Sequence, residues 1–311
     1  MENETYFKIR INTIIPGRPT SFDVYLRLHG KFVLYLRSGE SLPVGKIKAL
    51  DRSQLFHVPE PQREDYKRYV FERMNESGLA PSVKASILRE SSMTLVEEIF
   101  EDPDVERALQ DSKEVITHFI DFMEAEPEGM AQLISLSSHD FYTYNHSLDV
   151  SIYALGLGGM LGYARADLVE LGRGAIFHDI GKRNVNVNII RKKGPLDEVE
   201  WAQMKKHPQF GLTILMEHGC SESMVACCFE HHESFLGNGY PQQLTGPEIH
   251  PMARICAITD TYDALTTKRS YNEPMVPADA LTFMTTKLAG RYDSDMLKAL
   301  HSALFRMKAS A

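Results

Sequence analysis

The sequence predicts a mainly α-helical protein: a C-terminal helical bundle behind a small N-terminal β-rich, α+β domain. Three observations lead there. Apolar and polar residues alternate from Tyr6 to about His57, as in half-buried strands. Beyond Gln62 the apolar positions recur at helical spacing instead. Between Asn145 and Asp260, five of the histidines and two of the aspartates form an ordered series spread over separate segments of helical character, as metal sites inside helical bundles require. The expected organisation is residues 1–125 as a β-rich module with a helical connector, and residues 126–311 as the bundle.

In chain order, FKIRINTII alternates as a strand, and FDVYLRL and KFVLYLRSG are separated by a His29-Gly30 turn. LPVGKIKAL follows, and Pro59-Glu60-Pro61 closes the β-rich unit. From Gln62 to about Glu126, Tyr66, Tyr69, Val70 and Met74 mark a helical face, with breaks at Gly78–Ser82 and Asp102-Pro103-Asp104. The plain reading of this half is a small module plus a connector; the functional reading is a sensory or partner-docking domain. Later, Asp197 caps a helix with Glu200 three residues on. Pro208 should end or kink that helix just after His207. Ser221 can cap the helix that delivers His231 and His232, and Pro251 opens one with Ile255, Ile258, Tyr262 and Leu265 around Asp260.

The chemistry lies in His146, the doublet His178-Asp179, His207, the doublet His231-His232, and Asp260. Neighbours on a helix point about 100° apart, so one doublet can serve two ions, and Asp179 is the natural bridge. Two ions about 3.5–4 Å apart polarise a phosphoryl group and generate a hydroxide nucleophile. A lone His-Asp pair means little, as His139-Asp140 illustrates; the ordered series of seven is specific. Imidazoles and carboxylates without thiolate favour iron or manganese before zinc or magnesium.

Composition bounds the setting. A chain of 311 residues has length for two domains. The start, MENETYFKIR, is polar and is not read as a secretory signal. The most apolar run, Ile152 to Ala164, has 13 residues and four glycines, too short to span a bilayer, so it reads as a buried helix. Cysteines 220, 227, 228 and 256 show no CxxC spacing, which points to a reducing compartment and a cytoplasmic location. A net charge of −8 argues against nucleic-acid binding. His139, His218, His250 and His301 read as surface or capping groups, Cys227-Cys228 as buried packing, and Met284 and Met296 as core.

His178-Asp179-Ile180-Gly181-Lys182, His207-Pro208, His231-His232-Glu233, Gly237-Asn238-Gly239-Tyr240-Pro241 and Asp260-Thr261-Tyr262-Asp263-Ala264-Leu265-Thr266 together resemble the HD-GYP family. This is a branch of the HD-domain phosphohydrolases that hydrolyses the bacterial second messenger cyclic di-GMP. The resemblance runs from about Ser138 to about Asp295. It implies an HD-type helical bundle and a dinuclear phosphodiesterase yielding linear pGpG and/or GMP. One ion would be held by His146, His178, Asp179 and Asp260, the other by Asp179, His207, His231 and His232. Asp179 and Lys182 would be catalytic, and Lys182, Gly239, Tyr240 and Arg269 would meet the substrate. A diguanylate cyclase or another signalling protein is the candidate partner, and a homodimer the candidate assembly. Tyr142 stands where some members carry a glutamate for a third ion, so two metals are expected.

Two departures touch the substrate grip. Leu236 replaces a usual acidic residue, and Asn272 a usual basic one. A buried charged contact is worth on the order of 1.5–3 kcal/mol, or one to two decades of affinity. Alternatives are therefore another cyclic or linear nucleotide as substrate, or a binding or docking protein with little or no turnover.

Overall fold

The computed structural model describes residues 5–43, 56–101, 104–126, 128–136, 143–268 and 273–309. It divides into two compact units, Met1–Thr94 and Leu95–Ala311.

In the first unit the strands β1 (Tyr6–Ile9), β2 (Val24–Leu28), β3 (Lys31–Leu36) and β4 (Phe56–Pro59) form an antiparallel sheet in the order β1-β4-β2-β3. Tyr6 pairs with Pro59 and Ile9 with Phe56. β2 and β3 form a hairpin whose turn residues His29 and Gly30 both have positive φ, 48° and 81°, as tight hairpin turns demand. FKIRINTII is strand only to Ile9; Ile11–Thr13 is a 3-10 turn. Most of LPVGKIKAL lies outside the described residues. Helix α1 (Arg63–Met74) covers the sheet, and the Tyr66 ring meets Phe7 and Phe22 edge-on at 5.6 and 5.4 Å.

Helix α2 (Pro81–Glu101) follows, and the division between units falls within it. That is earlier than the expected 125/126 boundary. The physical reason is α3 (Val105–Ala125), capped by Asp104, which buries Leu109, Ile116 and Ile120 within the second unit.

The second unit continues with α4 (Gly129–Ser135), α5 (Thr143–Met160), α6 (Arg165–Phe177), α7 (Val187–Ile190), α8 (Glu198–Met204), α9 (His207–Glu217), α10 (Glu222–Glu230), α11 (Pro251–Thr266), α12 (Pro277–Thr286) and α13 (Ser294–Ala309). Its core joins Val150, Tyr153 and Leu157 of α5 to Leu171 and Ala175 of α6, Cys227 of α10, and Ile255, Ile258 and Tyr262 of α11. Cys228 and Met284 are buried as expected, and Met296 packs against that core. Helix α6 approaches α10 closely enough that a Cβ at Gly174 would lie 2.8 Å from the Cys227 sulfur. Among the described residues no helix is long and apolar enough to cross a membrane.

Candidate metal centre

Five helices deliver the ligands, mostly from their ends. His146 lies inside α5 and Asp260 inside α11. His178-Asp179 and His231-His232 occupy the turns just past α6 and α10, so the doublets are not the helical neighbours the sequence suggested. His207 opens α9, with Pro208 in the first turn; α8 has already ended at Met204. Pro208 therefore begins a helix instead of ending one, in the position where its missing N–H costs nothing. The Asp197–Glu200 capping box and the Ser221 cap form as expected, and the His250 side chain caps α11.

These turns have a common logic. The last carbonyls of a helix have no partner within it. His178 Nδ1 donates to Ala175 O at 2.7 Å, His207 Nδ1 to Met204 O at 2.8 Å, and His231 Nδ1 to Cys228 O at 2.8 Å. Each acceptor lies in the last turn of α6, α8 or α10. That bond fixes the tautomer, leaving the Nε2 lone pair of each ring for the cluster. His146, inside a helix, has no such carbonyl and uses the Asp263 carboxylate, 2.7 Å away. Asp263 is fully buried and accepts also from Thr267 Oγ1 at 3.0 Å.

The Nε2 atoms converge on Asp179. Its Oδ2 lies 3.2 Å from His178 Nε2 and 3.8 Å from His146 Nε2. Its Oδ1 lies 3.2 Å from His207 Nε2 and 3.8 Å from His231 Nε2. His146 Nε2 is also 3.2 Å from Asp260 Oδ1. Ligand atoms group within 4.8 Å as His146/His178/Asp260, His207/His231/His232 and His178/Asp179/His231. His178 Nε2 and Asp179 Oδ1 are buried without a hydrogen-bond partner, although orphaned buried polar groups are costly. Lone pairs facing one another across a buried gap fit a divalent cation, so all seven expected ligands are brought together.

Electrostatics sort the rings. Burial pushes His207 down to about 4 and, with the charge of His207 beside it, His232 down to about 3. His231 is held well below the ordinary histidine value by burial and its neighbouring rings. These imidazoles are neutral near pH 7, as ligation demands. Burial would lower His146 too, but hydrogen bonds to Asp260 and Asp263 raise it to about 9. Burial opposes the charged form of Asp179, yet Lys182 and the surrounding histidines hold it well below the usual carboxylate range.

Lys182 is not on α6, which stops at Phe177; it lies in a 3-10 turn, Ile180–Asn184, with Nζ bonded to Asp179 Oδ2. That turn is pressed onto α9: a Cβ at Gly181 would lie 1.9 Å from His207 O. Tyr240 stacks on His232 with centroids 4.7 Å apart at 29°, and its N–H donates to His232 O at 3.2 Å. Gly239 packs on backbone, where a Cβ would meet Ser234 N at 2.4 Å and Glu233 Cα at 2.5 Å. Leu236 is 62% exposed. Arg269, Asn272, Tyr142 and His139-Asp140 lie outside the described residues.

Sequence reasoning missed two residues. Asp263, three positions beyond Asp260 on α11, was legible as a same-face neighbour. Glu233 is buried and accepts the N–H groups of Gln242, Gln243 and Leu244 at 2.6–3.1 Å, closing the glycine-tyrosine-proline loop. Only adjacency to the histidine doublet hinted at it.

Comparison with known proteins bears on family and fold. The HD domain family matches residues 128–296. Over 179 residues, 57% of this chain, it is 33% identical to a cyclic di-GMP phosphodiesterase of Pseudomonas aeruginosa, of which 43% is covered. Over 163 residues, 52% of the chain, it is 36% identical to a 3'3'-cGAMP-specific phosphodiesterase of Vibrio cholerae, of which 35% is covered. The aligned part thus spans less than half the length of either relative. In fold the chain is similar to an HDG"Y"P protein from Bdellovibrio bacteriovorus, with TM-score 0.74 at 20% identity, covering 97% of this chain and all of that one. By the family match, the chain belongs to the HD domain family.

Proposed function

We propose that this chain is a dinuclear-metal phosphodiesterase that hydrolyses cyclic di-GMP to linear pGpG and/or GMP. One observation carries the reading: the two carboxylate oxygens of Asp179 face different pairs of imidazoles, Oδ2 toward His146 and His178, Oδ1 toward His207 and His231. That is the geometry of a bridging ligand. His146, His178, Asp179 and Asp260 would hold one ion; Asp179, His207, His231 and His232 would hold the other. Nitrogen and oxygen donors without thiolate favour iron, then manganese. When bound, such a pair would polarise the phosphoryl oxygen and activate the attacking water.

The chain's own side chains do the rest. Lys182 neutralises Asp179 and can offer its remaining N–H groups to a phosphate oxygen as a point charge. Arg269 would grip the same phosphate. Tyr240 backs His232 and keeps water from that side of the ring. A second reading, with 3'3'-cGAMP as substrate, is supported by the relative named for that dinucleotide.

The test is elemental analysis alongside turnover. About two transition-metal equivalents per chain are expected, with hydrolysis of cyclic di-GMP exceeding that of other nucleotides in a panel. Asp179→Ala should lose both metal and turnover. Unaltered metal content in that variant would refute the bridging assignment.

A further inference from the structure

Trp201 is the chain's single tryptophan, and it is 47% exposed on α8. Its ring stands edge-on to Tyr240, with centroids 6.4 Å apart at 79°. Tyr240 stacks in turn on His232. Three aromatic rings therefore run from the metal ligands out to solvent. No residue of α8 is buried, and about half of this indole faces water, where it forfeits part of the apolar gain that burying a large aromatic ring offers.

Charge around α8 also departs from the chain as a whole. Between Gly181 and His207 there are seven lysines and arginines against three acidic residues, in a chain of net charge −8. Lys192 is paired with Glu200, while Lys205 and Lys206 are exposed immediately before His207. An exposed π-face beside cations fits a ligand that is both anionic and aromatic, since bases stack on such rings and phosphates meet the cations.

We infer that Trp201 is a base-stacking residue of the substrate site, taking one nucleobase of a cyclic dinucleotide while the phosphodiester lies at the histidine–aspartate cluster. This rests on the function proposed above. It makes α8 a wall that selects for a base, compensating in part for the cation absent at Asn272.

The single tryptophan is its own reporter. On the metal-loaded protein, cyclic di-GMP should quench Trp201 emission and inorganic phosphate, which has no base, should not. By equilibrium dialysis, Trp201→Ala should bind cyclic di-GMP about tenfold more weakly, within the range one stacked base contributes. Trp201→Phe should recover most of that loss, and phosphate affinity should be the same in all three proteins. Equal affinity of parent and Trp201→Ala for cyclic di-GMP overturns the inference and leaves the proposed function standing. Equal weakening toward cyclic di-GMP and phosphate overturns it as well, because the role would then be structural. A metal-loaded parent that binds no cyclic dinucleotide overturns the functional reading, and this inference falls with it.

Discussion

Asp263 Oδ2 accepts the Nδ1–H of His146 at 2.7 Å from a position three residues beyond Asp260 on the same helix. One turn of α11 thus supplies a candidate ligand atom and the group that orients a neighbouring candidate ligand. Partners of this kind are worth about 10–100-fold in metal affinity. Asp263→Asn should weaken one of the two metal sites by roughly that factor and leave the His207/His231/His232 site filled. Chelator competition followed by elemental analysis checks this: the variant should retain close to one equivalent. Loss of both equivalents, or of neither, would contradict the assignment.

Proton release distinguishes the two ligand groups. His207 and His232, lowered to about 4 and about 3, have no proton to lose at pH 7, whereas His146, raised to about 9, does. Ion uptake at pH 7 should therefore release about one proton, and fewer as pH rises past that of His146. Calorimetry in buffers of different ionisation enthalpy measures the number. In the metal-free protein the sign for stability follows from the same shift. A histidine whose folded value exceeds its unfolded one, about 6.5, stabilises fully below pH 6.5 and loses that contribution as pH climbs through about 9. The metal-free protein should melt at a lower temperature at pH 10 than at pH 7, and His146→Gln should flatten that difference.

The glycine-tyrosine-proline loop depends on one buried carboxylate. Glu233→Ala leaves the N–H groups of Gln242, Gln243 and Leu244 without their acceptor, and each orphan costs about 1–3 kcal/mol. Thermal denaturation should show a fall of several degrees, with turnover lost before metal content. Gly239→Ala should behave similarly, since its Cβ would collide with the backbone of Glu233 and Ser234. A variant melting like the parent would show that the loop has another anchor.

Substrate grip is testable through charge. Asn272→Lys should raise kcat/KM about tenfold, the value of one charge-assisted contact of roughly 1.5 kcal/mol, and the gain should shrink at high salt. Arg269→Ala and Lys182→Ala should lower turnover, the former with metal content unchanged. An inactive parent and an inactive Asn272→Lys, both fully metal-loaded, would favour a docking role over catalysis.

The seven candidate ligands were readable because residue type and order survive in one dimension, and the structure gathers their donor atoms around Asp179. Their setting was less readable. The doublets looked like helical neighbours, yet they sit in turns, because an imidazole there can satisfy a last-turn carbonyl. Asp263 and Glu233 escaped for a different reason: their partners lie 117 and 9–11 residues away, so the local cues of helical spacing and adjacency mark their positions without naming what they bind. In the β-rich unit, the hairpin at His29-Gly30 was legible from its turn, whereas the early end of β1 at Ile9 was not.

Gly181 has a consequence for which metals the centre can accept. With no side chain between its turn and the carbonyl of His207, the turn after Asp179 rests on the start of α9 main chain against main chain. Side chains can change rotamer to follow a larger or smaller ion; abutting peptide planes cannot. The gap across Asp179 works as a fixed ruler. If the cluster holds its ions as proposed, discrimination among ions of similar chemistry would then come in part from radius.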